Sequence, residues 1–166
     1  MAKYSASYTS LTHGTGQGDG ASLTSATYLA VLGVASARLS LYEVYMGGEA
    51  ASTSSPIVMV LGRSSAIATG SLSGGRLALL DATGLAPSTA PTAFTAAATT
   101  GPQRSSTLHL LHLSFNAYGG IVRWVEAPGS EIQMFGATAT AGESSLSAFT
   151  GSTSAATSGH ILLEAL

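Results

Sequence analysis

Thr107–Phe135, TLHLLHLSFNAYGGIVRWVEAPGSEIQMF, sets the fold class of this chain. Leu108 to Phe115 is apolar or β-compatible and stops at a turn cluster, Asn116-Ala-Tyr-Gly-Gly120. Ile121 to Glu126 resumes with Ile, Val and Trp, and Pro128-Gly129 breaks it before Glu131–Phe135. That pattern predicts a β-hairpin followed by a third short strand. Trp124 is the single tryptophan. As the largest apolar side chain available, it is expected to be a mostly buried core anchor.

Outward from this block the signals remain those of strands. Arg38–Met46, RLSLYEVYM, alternates strictly, with Leu39, Leu41, Glu43 and Tyr45 on one side and Ser40, Tyr42, Val44 and Met46 on the other. Ile57–Arg63 is a near-continuous apolar run. Further strands are expected at Leu23–Val34, Ala66–Thr69, Arg76–Leu80, Ser145–Phe149 and Gly159–Leu166. Asp81–Pro102, with three prolines, reads as a long surface excursion holding an extended piece around Thr92–Thr99. No stretch keeps a helical period, and no repeat of solenoid or propeller length occurs. The fold expected is all-β, a single antiparallel domain over residues 21–166 built as a β-sandwich, a jelly roll or a barrel. Residues 1–20, with the cluster Gly14-Thr-Gly-Gln-Gly-Asp-Gly20, read as a flexible N-terminal arm on which Tyr4 and Tyr8 serve as anchors to a partner surface.

Composition narrows the function. Only 8% of residues are charged, against about 25% in an ordinary soluble domain. One lysine and five scattered arginines do not make the basic stripe that phosphates require, which excludes a nucleic-acid partner. No run is long and apolar enough for a membrane span, and the N-terminus lacks the apolar core of a signal peptide. Cysteine is absent, so disulfides and thiolate metal sites are too. A surface so poor in charge points to burial against other subunits in a permanent assembly.

The candidates for chemistry fall away one by one. The alternating glycines of the head give neither dinucleotide nor P-loop spacing. Gly70-Ser-Leu-Ser-Gly74 places Leu72 where a nucleophile elbow needs serine. His109 and His112, three apart on a strand, are expected on opposite faces, and His13 and His160 lie at the two ends. Two aspartates, Asp19 and Asp81, offer no calcium loop. Glu43, Glu126 and Glu131 formally allow a carboxylate pair. Glu43 among apolar neighbours instead requires an arginine, with Arg123 and Arg63 the candidates. Ala137-Thr-Ala-Thr-Ala141 alone does not make an ice-binding array. No enzymatic activity, cofactor, metal or small-molecule substrate is expected.

Leu41-Tyr-Glu-Val-Tyr-Met-Gly-Gly48, Arg63, Leu80-Asp81, Gly119-Gly-Ile-Val-Arg-Trp-Val-Glu-Ala-Pro-Gly-Ser-Glu-Ile132 and the terminal Leu163-Glu164 together resemble bacteriophage capsid decoration, or cement, proteins of the β-sandwich type. The likeness spans Arg38 to the C-terminus. The chain departs from it after Leu80-Asp81, where Ala82-Thr-Gly-Leu-Ala-Pro87 delays a proline that members often carry sooner. The resemblance implies a jelly roll that binds the major capsid protein from outside as a homotrimer, made in a bacterial cytoplasm and carried on the virion. It implies no catalytic residue. The alternative is a head- or tail-fibre module recognising host-surface glycan. With the single Trp placed mid-strand, one Asn and three Gln, the aromatic and amide inventory favours cement over a sugar platform.

Overall fold

The computed structural model describes residues 2–12, 28–32, 38–49, 56–66, 76–81, 92–95, 103–135, 143–150 and 156–165. Among them there are strands and no helix. The strands are β1 (Ala2–Thr12), β2 (Tyr28–Leu32), β3 (Arg38–Gly48), β4 (Pro56–Ala66), β5 (Arg76–Leu79) and β6 (Thr92–Thr95). They continue with β7 (Gln103–Asn116), β8 (Ile121–Val125), β9 (Ile132–Phe135), β10 (Glu143–Thr150) and β11 (Ala156–Ala165). The first sheet runs β5-β1-β11-β3-β8, with β9 also on β3, and the second runs β6-β2-β10-β4-β7. Every pairing is antiparallel. The pairs nest: β1 with β11, β2 with β10, β3 with β8 and β9, and β4 with β7.

One apolar cluster joins the sheets. Tyr4, Ala6 and Tyr8 of β1, Leu39, Leu41, Val44 and Met46 of β3, and Ile161 and Leu163 of β11 enter it from the first sheet. Val31 of β2 and Ile57, Met59 and Leu61 of β4 enter it from the second. The expected β-sandwich is therefore present, its two inner faces sharing a core.

Two expectations for the N-terminal segment are corrected. Residues 2–12 are not an arm: β1 is hydrogen-bonded on both sides, to β5 and to β11, so the sandwich begins at Ala2. Tyr4 and Tyr8 are 1% and 5% exposed and face the core, so they are not available as anchors to a partner. The physical reason is the two-residue period of Ala2, Tyr4, Ala6 and Tyr8 against Lys3, Ser5, Ser7 and Thr9. Gly14–Gly20 and His13 lie outside the described residues, as do residues 67–69, Gly70–Gly74, most of Asp81–Pro102 and Ala137–Ala141.

The hairpin expected at Thr107–Phe135 is a crossing between sheets: β7 belongs to the second and β8 to the first. Ala117, fully buried, tucks the link between the layers. Asn116 folds it, its Oδ1 accepting from Tyr118 N at 3.0 Å and its carbonyl from Gly120 N at 2.8 Å. Gly48 meets this link so closely that a Cβ there would stand 2.1 Å from the Ala117 carbonyl oxygen. The Pro128-Gly129 segment does turn, with Ser130 N on Ala127 O at 2.9 Å and Gly129 at φ 86°, the type II pattern. It reverses nothing, however. β8 covers Glu43–Gly47 and β9 covers Arg38–Leu41 of the same strand, so the segment is a detour within one edge.

The strict alternation expected for Arg38–Met46 also breaks. Leu162 opposes Glu43 and Leu163 opposes Leu41, which leaves Tyr42 as an extra residue on β3. This β-bulge flips the pleat, so Leu39 and Leu41 before it and Val44 and Met46 after it all point inward.

Candidate interaction face of the first sheet

The bulge turns Glu43 and Tyr45 out of the core, onto the outer face of the first sheet. Cross-strand register then sets two rows. Ser7, His160, Tyr45 and Arg123 form one, on β1, β11, β3 and β8, and Ser5, Leu162, Glu43 and Val125 form the other. Arg123 Nη2 donates to Glu43 Oε2 at 2.7 Å, and His160 Nε2 lies 3.0 Å from Glu43 Oε1. Arg123 was one of the two arginines expected for Glu43. The hydrogen bond from Arg123, more than that from His160, holds the Glu43 carboxyl below the ordinary glutamate value despite partial burial. The Tyr45 and His160 rings stack at 5.2 Å and 11°.

Toward the other end of the face, Lys3 Nζ lies 5.6 Å over the Tyr42 ring. Burial, and then the charges of Glu164, Glu43 and Glu126, raise the Tyr42 phenol. Burial, with Glu131 and Glu164 nearby, raises the Glu126 carboxyl, and its Oε2 is buried without a hydrogen bond.

A second acidic centre pins β1. The ladder between β1 and β11 shifts between Tyr8 and Leu11, and Ser10 there holds φ at 51°. Ser10 Oγ donates to Glu49 Oε2 at 2.7 Å, Ser10 N reaches Ser158 Oγ at 3.1 Å, and Ser158 Oγ donates to Glu49 Oε1. These bonds keep the Glu49 carboxyl below its usual range, the one from Ser158 most of all.

The edge strand β8 shows its residues alternately. Ile121 and Val125 are 63% and 50% exposed, and Tyr118 in the preceding link is 57% exposed. Trp124 is partly buried, opposite Val44, and packs against the core from this edge. Among the described residues the largest fully buried side chain is Tyr4. Gly48 N bonds Gly120 O and Glu126 N bonds Tyr42 O, both at 3.0 Å, so the even positions of β8 turn their backbone groups toward β3. By the alternation of an antiparallel ladder, the N–H and C=O of Ile121, Arg123 and Val125 line the outer edge. That edge has no ladder partner among the described residues.

Among the described residues no His, Cys, Asp or Glu group is arranged to hold a metal, and no helix is long and apolar enough to cross a membrane. The register of β7 passes from Leu111 to His109 between Leu61 and Gly62, so the simple alternation that set His109 against His112 does not run unbroken. Sequence reasoning missed Tyr45, His160, Glu49 and Ser10 as neighbours, because only the bulge and the pairing of β1 with β11 bring them together. Comparison with family models, curated proteins and solved structures finds no match.

Proposed function

We propose that this chain is a structural protein of the virion, a decoration protein that binds the outer surface of a phage capsid as a homotrimer and stabilises it. The observation that carries the reading is the outer edge of β8. Proteins that work alone guard such edges with lysine, proline or a bulge. Ile121–Val125 has none of these, and the charge of its one cation is taken up by Glu43. With Tyr118, Ile121 and Val125 exposed beside open ladder groups, the edge is suited to joining another protein rather than to facing water. The scarcity of charge over the whole chain supports the same reading. The nested pairing supports a jelly-roll assignment, in which a folded-over ribbon of strands wraps into two sheets. Trimerisation multiplies weak contacts with the shell by avidity, and binding only the assembled shell stabilises it by mass action.

The test mixes the purified protein with undecorated capsids and measures occupancy and survival on heating, beside a variant carrying Ile121→Lys and Val125→Lys, the residue that guards solitary edges. The wild type should saturate the shells and raise their inactivation temperature. The variant, whose changes lie on exposed positions, should fold with unchanged melting temperature, lose trimerisation by light scattering, and bind poorly. Wild-type protein that leaves capsids bare would overturn the decoration reading.

A further inference from the structure

Where β1, β11 and β3 lie side by side, a depression of about 400 Å³ opens on the outer face of the first sheet. Tyr45 and His160 wall it on one side and Glu49 on another, with Ser5, Ser7 and Ser158 around it. We propose that this depression binds a neutral, polyhydroxylated ligand, a carbohydrate residue.

Gly47 points to an occupant. Its ladder partners are Ser158 on β11 and Ile121 on β8, which places it on the outer face and in the lining of the depression. Glycine inside a strand is unfavourable by about 0.5–1 kcal/mol, so a fold reason is expected. Gly48 and Gly159 have one, since a Cβ would stand 2.1 Å from Ala117 O and 2.3 Å from Tyr45 O. Gly47 has none. Its φ is not positive, and a Cβ there would meet nothing nearer than Tyr45 Oη at 4.0 Å. What the missing side chain provides is space in the depression and access to the strand backbone.

Tyr8 contributes to the lining from below. Its ring is buried and its hydroxyl makes no well-formed hydrogen bond, although Thr157 is beside it. Gly159, its ladder partner, has no side chain to cover it. The ring closes the floor of the depression without offering it the hydroxyl, which is buried.

The chemistry of the lining selects the ligand. The Glu49 carboxylate in the lining, with no lysine or arginine among the described side chains beside it, disfavours an anion. The Glu49 carboxylate is engaged by Ser10 and Ser158, and His160 Nε2 faces Glu43, which argues against a cation. What remains is hydroxyls and backbone beside a wall of two stacked rings, a surface suited to the hydroxyls and the C–H face of a sugar. The volume is at the small end of ligand sites, enough for one or two sugar units at modest affinity.

The experiment titrates ¹⁵N-labelled protein with glucose, galactose, mannose and N-acetylglucosamine in turn, each to about 0.1 M, a range that detects millimolar binding. At least one sugar should move the amides of Ser7, Gly47, Glu49, Gly159 and His160 together and saturably. Gly47→Val, which fills the depression, should keep the melting temperature and weaken that sugar by about tenfold or more. Tyr45→Ala should weaken it as well and provides a second reading. The proposal is overturned if no sugar moves these amides, if the shifts scatter over the surface, or if Gly47→Val binds as the wild type does. Unfolding of Gly47→Val would also count against it, because the glycine would then have a structural reason. Capsid binding enters none of these outcomes.

Discussion

Arg123 on the edge strand β8 and Glu43 on β3 lie on diagonal positions of the outer face and meet at 2.7 Å, although 80 residues separate them in sequence. The contact exists because the extra residue Tyr42 turns Glu43 outward. Without the bulge, Glu43 would follow Leu39 and Leu41 into the core.

Acid should weaken the fold through this carboxylate. The folded-state value of Glu43 is depressed below the ordinary 4.5. Its contribution is therefore present above that value and is lost as pH falls through the folded one. Glu126, raised by burial and by neighbouring carboxylates, acts in the opposite sense and is relieved when protonated. Urea midpoints between about pH 3 and 7 should fall on acidification. Glu43→Gln should lower the neutral midpoint and flatten the acid slope, whereas Glu126→Gln should leave the neutral midpoint unchanged or raise it. An unchanged slope in Glu43→Gln would remove Glu43 from the account.

Tyr4 separates ring from hydroxyl. Its ring fills the core, while its hydroxyl is buried without a partner. Tyr4→Ala should cost about 3–5 kcal/mol, the range for a core aromatic. Tyr4→Phe should be neutral or stabilise by up to about 1 kcal/mol, since it removes an unmet polar group. Equilibrium denaturation of both variants checks this, and a marked loss in Tyr4→Phe would reveal a partner for the hydroxyl.

At Ser10 the backbone is left-handed and the side chain is bonded to Glu49. Ser10→Gly exchanges one benefit for the other and should change stability by less than about 1 kcal/mol. Ser10→Val loses both, and the β-branched side chain resists positive φ, so a loss of about 2 kcal/mol or more is expected. The difference between the two variants is the quantity to measure by denaturant titration.

Removing residues 2–12 should abolish the fold rather than free an arm. β1 lies between β5 and β11 and contributes Tyr4, Ala6 and Tyr8 to the core. Loss of the dispersed methyl and amide signals in the truncated protein would agree. A folded truncation with native dispersion would show the strand to be dispensable.

Strand positions were legible in the sequence wherever apolar residues alternate, and β3, β4, β8 and β11 lie close to where the pattern puts them. β1 was equally legible in Ala2, Tyr4, Ala6 and Tyr8, but the glycines after it drew the whole head into one flexible reading. Pairing was not legible. Asn116–Gly120 and Pro128-Gly129 announce turns, yet whether a turn closes a hairpin, crosses between sheets or detours along one edge depends on neighbours far away in the chain. The outer face was hidden for the same reason. A period-two reading through Tyr42 puts Tyr45 with Leu39 and Leu41, and no local residue marks the slip that separates them.

The place of β11 has a consequence for how the protein is made. It lies between β1 and β3, bonded to both along most of its length. Translation delivers β1 and β3 early and Ala156–Ala165 after all the other described strands. Until then β1 and β3 share no neighbour, and each exposes an apolar face and an open edge. Such long-range closure is slow, so until β11 closes the gap the first sheet stays split, its open edges exposed to pairing with other chains.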